Sequence, residues 1–205
     1  MITLYLIRHG ETLWNRKKMY QGTTDVALSE KGLLQAKLTA ERFKDVTLDG
    51  VYSSPLSRAR TTAEGIAKAR GLSVVTDERL SEISFGEWEG KNFEEIEARW
   101  PGMMETMFHD PEAMRLPGGE TFAQARDRTV AAAEDIFSKG DGKSYVIASH
   151  GAAIRTLLCG LLDIPLIKCW NFDLDNASVT ELHRFPDGMV ILHTLNDTVH
   201  LKDMK

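Results

Sequence analysis

Short apolar runs alternate with segments of helical period along most of the chain. Four of these runs, each bounded by turn residues, predict strands. They are Thr3–Ile7, Gly50–Ser53, Ser73–Thr76 and Ser144–Ser149. We expect each strand to be buried on both faces, as parallel strands usually are.

Segments of helical period fill the gaps between the predicted strands. Ser29 can cap the first helix, and Gly71 can close a second helix that begins near Ser57. Further helices are predicted at about 121–139 and over Ala152–Leu162. We interpret the apolar stripes of the first and third helices as core faces. The stripe residues are Leu33, Ala36, Ala40 and Phe43 in the first helix, and Phe122, Ala125, Thr129, Ala132 and Ile136 in the third.

The last part of the chain has the pattern of a hairpin. Two runs, Ala177–Phe185 and Met189–Asn196, flank the turn sequence Pro186-Asp187-Gly188. Such a hairpin adds an antiparallel edge to the sheet. The predicted fold is therefore α/β: a three-layer sandwich with a mostly parallel central sheet, an antiparallel edge and helices on both faces.

The stretch from about 84 to 119 fits no strand and is too long for an ordinary connection. It carries aromatic and methionine side chains between glycine and proline residues, so we predict a short helical cap over the sheet. We interpret its apolar side chains as packing residues, some of which line the mouth of a pocket. They are Phe85, Trp88, Phe93, Trp100, Met103, Met104, Met107 and Phe108.

Composition predicts one domain and argues against several classes of partner. A chain of 205 residues, 42% of them hydrophobic, is long enough for one sizeable core, so we expect a single domain over 1–205. The net charge of -5 argues against a nucleic-acid or anionic-membrane surface. No apolar run approaches the roughly 20 residues that span a bilayer, and the apolar start at Met1–Ile7 lacks the features of a signal peptide. Cys159 and Cys169 lack the spacing of a disulfide or metal motif, so we expect reduced thiols in a cytoplasmic protein.

Unusual polar residues follow the predicted strands. Arg8-His9-Gly10 follows the first strand, and Ser57-Arg58 follows the second. Glu82 lies a few residues past the third strand, and His150-Gly151 follows the fourth. Because ligands of an open α/β sheet bind beyond the carboxyl ends of its strands, we expect these side chains to meet at one rim.

These side chains are the groups that phosphoryl transfer requires. Arg8 and Arg58 offer planar forks of donors that match a phosphate. A neutral imidazole can attack phosphorus and carry the phosphoryl group, a role we assign to His9. The arginines and His150 can neutralise the phosphate without a metal. The leaving alkoxide needs a proton, for which Glu82 is the available carboxylic acid.

The same residues also have structural interpretations. A single histidine after a strand is often a hydrogen-bonded structural residue, and a single arginine can form a surface ion pair. Their coincidence at strand ends, beside glycines, favours a site. Glu82 is less distinctive, because the residues around it include other carboxylates. These are Asp77, Glu78, Glu87 and Glu89.

Several co-linear blocks, from residue 3 to about 160, resemble the histidine phosphatase superfamily. The first block is Leu6-Ile7-Arg8-His9-Gly10-Glu11-Thr12, followed by Asn15. The others are Gln21-Gly22, Leu28-Ser29-Glu30-Lys31-Gly32, the run from Ser53 to Ala63, the run from Leu80 to Gly90, Pro117-Gly118-Gly119-Glu120-Thr121, and Ser149-His150-Gly151.

The resemblance implies a role for each residue of the rim. His9 would be the phosphorylated nucleophile, and Glu82 would protonate the leaving group and then activate water. Arg8, Arg58 and His150 would form the phosphate pocket. Asn15, Gln21, Gly22, Gly151 and Ala152 would complete the substrate contacts. The resemblance also implies that no metal or other cofactor is needed.

Several functions remain open within this resemblance. The short cap and the block Phe85–Gly90 look like the small-phosphatase branch, which includes broad-specificity and α-ribazole phosphatases. A cofactor-dependent phosphoglycerate mutase is the alternative, although the cap region Phe108–Arg115 lacks the paired arginines of such mutases. A silent phosphate-binding module is disfavoured because no site residue is missing, and metal-dependent hydrolysis is disfavoured by the fixed charges of Arg8 and Arg58. We expect a small phosphorylated metabolite as the substrate, and a monomer or homodimer.

Overall fold

The computed structural model describes residues 1–204 and contains one six-stranded mixed sheet. Its strands are β1 (Ile2–Arg8), β2 (Gly50–Ser53), β3 (Val74–Thr76), β4 (Ser144–Ser149), β5 (Val179–Arg184) and β6 (Val190–Asp197). They lie in the order β3-β2-β4-β1-β5-β6. The first four strands pair in parallel, whereas β5 runs antiparallel to both β1 and β6. The predicted parallel sheet with an antiparallel edge is confirmed.

Helices cover both faces of this sheet. They are α1 (Leu13–Arg16), α2 (Glu30–Arg42), α3 (Ser57–Ala69), α4 (Phe93–Arg99), α5 (Met103–His109), α6 (Phe122–Phe137) and α7 (Gly151–Leu161). Short 3-10 turns lie at Glu78–Leu80, Gly86–Trp88, Leu166–Asn171 and Val199–Leu201. No helix within residues 1–204 is both long enough and apolar enough to cross a bilayer.

Side-chain alternation along the central strands divides the core into two layers. Leu4 and Leu6 of β1 pack in a cluster with α6, α7 and residues of the segment 84–119. Ile7, the next residue of the strand, packs instead with α2 and α3, beside Val146 of β4 and Ile66. Successive residues of a strand point to opposite faces, so each buried strand supplies both layers and the sandwich has three.

Polar side chains set where several helices begin. The Ser29 hydroxyl accepts a hydrogen bond from the Gly32 amide at 3.1 Å and caps α2 as predicted. Thr121 and Gln124 form a reciprocal capping box at the start of α6. These contacts satisfy amide groups that have no partner inside the helix.

The segment 84–119 is helical, as predicted, and its interior packs on the α6 and α7 face of the sheet. Trp88 and Met107 are fully buried there. The indole N–H of Trp170 donates to the Met107 carbonyl at 2.7 Å and ties α5 to the turn that follows α7. Two of the apolar side chains assigned to packing, Phe93 and Phe108, are instead 51% and 43% exposed.

Two predictions about burial were wrong. Strand β3 is not buried on both faces: it forms the edge of the sheet, and Val75 is 52% exposed. Leu33 is not a core residue of α2, because it is also 52% exposed. The buried face of α2 contains Gly32 and Ala36, since this helix packs closely enough to need small side chains.

Candidate active site

His9 follows the last residue of β1, and its backbone is held on both sides. Its amide donates to the Ser149 carbonyl at 3.0 Å, and its carbonyl accepts from the Asn176 side chain at 3.0 Å. The ring Nδ1 lies 2.7 Å from the Gly10 carbonyl oxygen. Because a carbonyl only accepts, Nδ1 carries the proton and Nε2 keeps its lone pair.

The electrostatic environment keeps the His9 imidazole neutral. Burial is the main cause that holds its pKa well below 6.5, and the positive charges of Arg58 and Arg8 act in the same direction. A neutral ring with a free nitrogen is the form that can attack phosphorus.

Gly10 permits the backbone after His9 to pack directly against α2. A Cβ atom at Gly10 would lie 2.6 Å from the Gly32 carbonyl oxygen. No larger residue fits without moving this backbone, so the pair of glycines fixes the position of the His9 loop.

Arg58 lies in the first turn of α3 and is completely buried. Its two Nη atoms donate to the Thr24 and Gly22 carbonyls at 2.9 and 2.7 Å, and its Nε donates to His150 Nδ1 at 3.2 Å. Burial lowers the pKa of Arg58, while the charges of Glu82 and Asp25 oppose that shift. These contacts hold the guanidinium rigidly between the loop 21–24 and β4.

His150 follows β4, is fully buried and does not line the cavity. Its Nδ1 accepts from Arg58, and its Nε2 lies 2.8 Å from the Ser54 hydroxyl. The ring centroid is 5.1 Å from that of His9. Burial, followed by the charge of Arg58, keeps the pKa of His150 well below 6.5. Both ring nitrogens therefore have protein partners, unlike those of His9.

Arg8 ends β1 and lies beside His9. Its Nη1 donates to the Leu174 carbonyl, whereas its Nε is buried without a hydrogen-bond partner. Burial lowers the pKa of Arg8 to about 10, and the nearby charge of Arg155 adds to that shift. A buried donor without a partner is costly, so this nitrogen is available for an anion.

Glu82 is held at the start of α7. Its carboxylate accepts hydrogen bonds from the Ala153 amide at 2.8 Å, the Ala152 amide at 3.2 Å and its neighbour Ile83 at 2.9 Å. The amide groups at a helix N-terminus favour an acceptor in this position.

Three of the four other carboxylates near Glu82 have structural partners. Asp77 pairs with Arg79 at 2.7 Å, and Glu87 pairs with Arg99. Glu89 accepts hydrogen bonds from Thr23 and Thr24 and so holds the loop 21–24. Among these candidates, Glu82 alone lines the cavity.

The cavity is lined by three of the predicted contact residues, Asn15, Gln21 and Gly22. The side-chain Oδ1 of Asn15 accepts from the Thr12 amide at 3.0 Å in a capping box, and the side-chain Oε1 of Gln21 accepts from the Thr12 hydroxyl at 2.8 Å. Gly22 has a φ of +53°, and a Cβ there would lie 2.0 Å from Glu89 Oε1. The loop that supplies carbonyls to Arg58 therefore depends on glycine at this position.

The cavity measures about 170 Å³, less than the roughly 300–1,000 Å³ of pockets for drug-sized ligands. All the predicted site residues except His150 line it. The lining consists of Arg8, His9, Asn15, Met19, Tyr20, Gln21, Gly22, Arg58, Glu82, Phe85, Gly151, Ala152, Arg155 and Trp170.

Sequence reasoning missed Arg155, which carries the only charge in the otherwise apolar helix α7. That isolated charge was a usable signal. Reasoning also missed the pair of Arg128 and Glu120, which are 2.7 Å apart. Arg128 donates to the carbonyls of Arg79, Ser81 and Glu82 and so holds the Glu82 loop. Nothing local in the sequence indicates that this arginine reaches across to another segment.

Histidine and carboxylate side chains with spacing that suits a metal occur in one place within residues 1–204. This cluster of Glu181, His183 and His193 lies on β5 and β6. None of the three lines the cavity. The cavity instead combines arginines with one carboxylate, a set that suits an anion rather than a cation.

The fold and this cavity define an α/β protein with an arginine-lined cavity at the carboxyl rim of its sheet. Residues 4–198 match the model of the histidine phosphatase superfamily (branch 1). The chain belongs to this superfamily, as its motifs predicted.

Two relatives whose names give different functions are similar to the chain over nearly its whole length. Phosphoserine phosphatase 1 of Hydrogenobacter thermophilus is 38% identical, over 98% of this chain and 95% of that protein. The probable phosphoglycerate mutase GpmB of Erwinia tasmaniensis is 34% identical, over 99% and 96% of the two chains.

Solved structures show the same fold. Bacillus stearothermophilus YhfR matches with a TM-score of 0.93 and 33% identity, over 98% of this chain and all of that one. A mutant phosphoserine phosphatase from Entamoeba histolytica, in complex with phosphoserine, matches with a TM-score of 0.88 and 34% identity, over 98% and 100%.

Proposed function

We propose that the protein is a phosphatase that hydrolyses small phosphorylated metabolites through a phosphohistidine on His9. The observation that carries the proposal is the free Nε2 of a neutral His9 in a small cavity lined by arginines. The similarity to phosphoserine phosphatases supports the reaction class and makes phosphoserine a candidate substrate.

In the first step, His9 Nε2 attacks phosphorus and the bond from phosphorus to the ester oxygen breaks. The leaving alkoxide takes a proton from the carboxyl group of Glu82 and departs as an alcohol. Arg8 and Arg58 neutralise the equatorial phosphate oxygens, on which the negative charge of the transition state is spread.

In the second step, Glu82 removes a proton from water as the water oxygen attacks the phosphorus of phosphohistidine. The nitrogen–phosphorus bond breaks, phosphate leaves, and His9 returns to its neutral form. Splitting the displacement into two steps replaces one difficult reaction with two easier ones.

The similarity to the GpmB relative supports mutase activity as the alternative function. We favour hydrolysis over this alternative. A mutase must retain a doubly phosphorylated species, for which the paired arginines in the cap of phosphoglycerate mutases would supply positive charge. Arg115, the arginine of the cap region 108–115, donates to the Glu112 and Met114 carbonyls and does not line the cavity.

Three further proposals accompany this function. Residues 1–205 form a single domain, since the helices pack on the two faces of one sheet. No metal takes part, because Arg8 and Arg58 would place fixed positive charge beside a cation in the cavity. The location is cytoplasmic, in keeping with Cys159 and Cys169, which are buried and form no disulfide.

The test is a screen of phosphorylated metabolites followed by phosphorus NMR. We expect phosphate release from phosphoserine or a related small ester, and phosphate release from 3-phosphoglycerate faster than isomerisation. A bisphosphoglycerate primer should give little stimulation. Isomerisation faster than phosphate release would move the protein to the mutase alternative.

A further inference from the structure

Arg155 lines the cavity but has no part in the reaction proposed above. It lies in α7, one turn after Gly151. Its Nε donates to the Phe172 carbonyl at 2.9 Å, and its Nη1 donates to the Gly151 carbonyl at 3.0 Å. The guanidinium carbon lies 5.4 Å from the centre of the Trp170 ring. These contacts fix the guanidinium and leave Nη2 for a ligand.

Arg155 and Arg8 converge on the same side of the cavity. A Cβ atom on Gly151 would lie 3.2 Å from Arg155 Nη1 and 3.4 Å from Arg8 Nε. Each of these cations is also largely removed from water, and the charge of Arg155 lowers the pKa of Arg8. The positive charge of each guanidinium disfavours the charged form of the other, so binding of an anion beside them is favourable.

The protein supplies only part of that negative charge: among residues 1–204, the charges of Glu82, Asp173 and Asp175 act on Arg8 and Arg155 without forming an ion pair with either. Within residues 1–204, none of Arg8, Arg58 and Arg155 forms an ion pair with a carboxylate. The cavity therefore contains three guanidinium groups and the single carboxylate of Glu82. Arg8 and Arg58 are the guanidinium groups proposed to bind the phosphate, so Arg155 is left without an anion in direct contact among residues 1–204.

We propose that Arg155 forms a second anion subsite that binds a carboxylate on the alcohol portion of the substrate. The planar fork of arginine suits a carboxylate. The small volume of the cavity requires this carboxylate to lie within a few bonds of the phosphate ester, as in a phosphorylated three-carbon hydroxy or amino acid. Phe85 and Trp170, which also line the cavity, can cover its carbon atoms.

This inference rests on the proposed phosphatase function. Pairs of substrates that differ in one carboxylate test the subsite separately from that function. Phosphoserine and phosphoethanolamine differ by one carboxylate, and 3-phosphoglycerate and glycerol 3-phosphate differ by a carboxylate in place of a hydroxymethyl group. The wild-type protein should prefer the carboxylate member of each pair in kcat/KM. A charged hydrogen bond predicts a preference on the order of 10- to 100-fold.

Arg155→Met should remove most of that preference by raising KM for the carboxylate substrates, while phosphoethanolamine turnover changes little. Arg155→Lys, which keeps the charge without the fork, should give an intermediate preference. Arg60→Met, at an exposed position of α3, is the matched control and should behave as the wild type. Thermal melting checks that each variant is folded.

The outcomes are distinct. If Arg155→Met lowers kcat/KM equally for both substrates of a pair, Arg155 contacts the phosphate or stabilises the fold. That result would overturn the proposed subsite. A wild-type protein without preference for carboxylate would overturn it as well. Failure to hydrolyse any of the four esters would instead contradict the proposed function.

Discussion

The ends of β1 and β4 look alike in sequence and differ in chemistry. Each strand is followed by a histidine and a glycine, and the two strands are parallel neighbours in the sheet. His9 and His150 are both buried, and both have a pKa well below 6.5. His9 keeps Nε2 free beside the cavity, whereas both nitrogens of His150 have protein partners.

The difference shows that hydrogen-bond partners, rather than residue type or burial, assign the roles. The Gly10 carbonyl holds the proton of His9 on Nδ1, so that Nε2 is the available nucleophile. His150 accepts from Arg58 and thereby orients a guanidinium that also binds the loop 21–24. In the proposed mechanism, His9 at the end of β1 reacts with phosphorus, and His150 at the end of β4 positions Arg58.

Replacing His9 should have the largest effect. In His9→Ala we expect kcat/KM for phosphomonoesters to fall by about 10⁴-fold or more, the size of loss typical when a covalent nucleophile is removed. Incubation with a labelled phosphomonoester and an acid-free quench should trap label on the wild-type protein and none on this variant. Label that persists in His9→Ala would mean that the nucleophile is elsewhere.

Glu82 binds the amides that follow His150, so its replacement tests the chemistry of the second strand end. In Glu82→Gln we expect turnover of alkyl phosphates to fall by about 10²–10⁴-fold, as for loss of a general acid. Turnover of p-nitrophenyl phosphate should fall much less, because that leaving group hardly needs a proton. Equal losses on the two substrates would indicate that Glu82 only shapes the cavity.

Variants of His150 should have smaller effects that depend on the acceptor they keep. His150→Leu removes the partner of Arg58 Nε, and we expect a loss of roughly 10- to 100-fold in kcat/KM, mainly through KM. His150→Asn places an oxygen near the position of Nδ1 and should recover part of that loss. Both variants should still trap label on His9. An Asn variant as impaired as the Leu variant would contradict the positioning role.

The smallest effect should appear in stability, where the two histidines should act alike. Because their pKa values are depressed in the folded protein, the unfolded chain takes up more protons below about pH 6.5. Their contribution to stability is complete above that pH and declines as the pH falls toward the folded-state values. Each histidine should contribute up to about 1.4 kcal/mol per pH unit.

Urea unfolding between pH 5.5 and 7.5 measures this contribution. His9→Asn and His150→Asn should each reduce the slope of unfolding free energy against pH by a similar amount. His109→Asn, at an exposed position of α5, is the control and should leave the slope unchanged. A slope equal to that of the wild type in either buried variant would show that the replaced histidine does not titrate as described.

Much of the fold was predictable from the sequence because it depends on local pattern. Strands β2 and β4 have the predicted bounds, and α6 buries all five residues of its predicted stripe. Placement within the sheet was not predictable in this way. Val75 has the apolar character of a core strand residue, but β3 lies at the edge, and no local signal specifies which strand has a neighbour on one side only.

The sequence by itself determined most of the residues that meet at the rim, although not Arg155, because strand ends and the flanking His-Gly pairs are local features. Only the tertiary structure decided what each residue does there. The free nitrogen of His9, the anchoring of Glu82 by α7 and the convergence of Arg155 with Arg8 depend on contacts between distant segments. Hydrogen-bond partners and burial set protonation and orientation, and both arise only when those segments pack together.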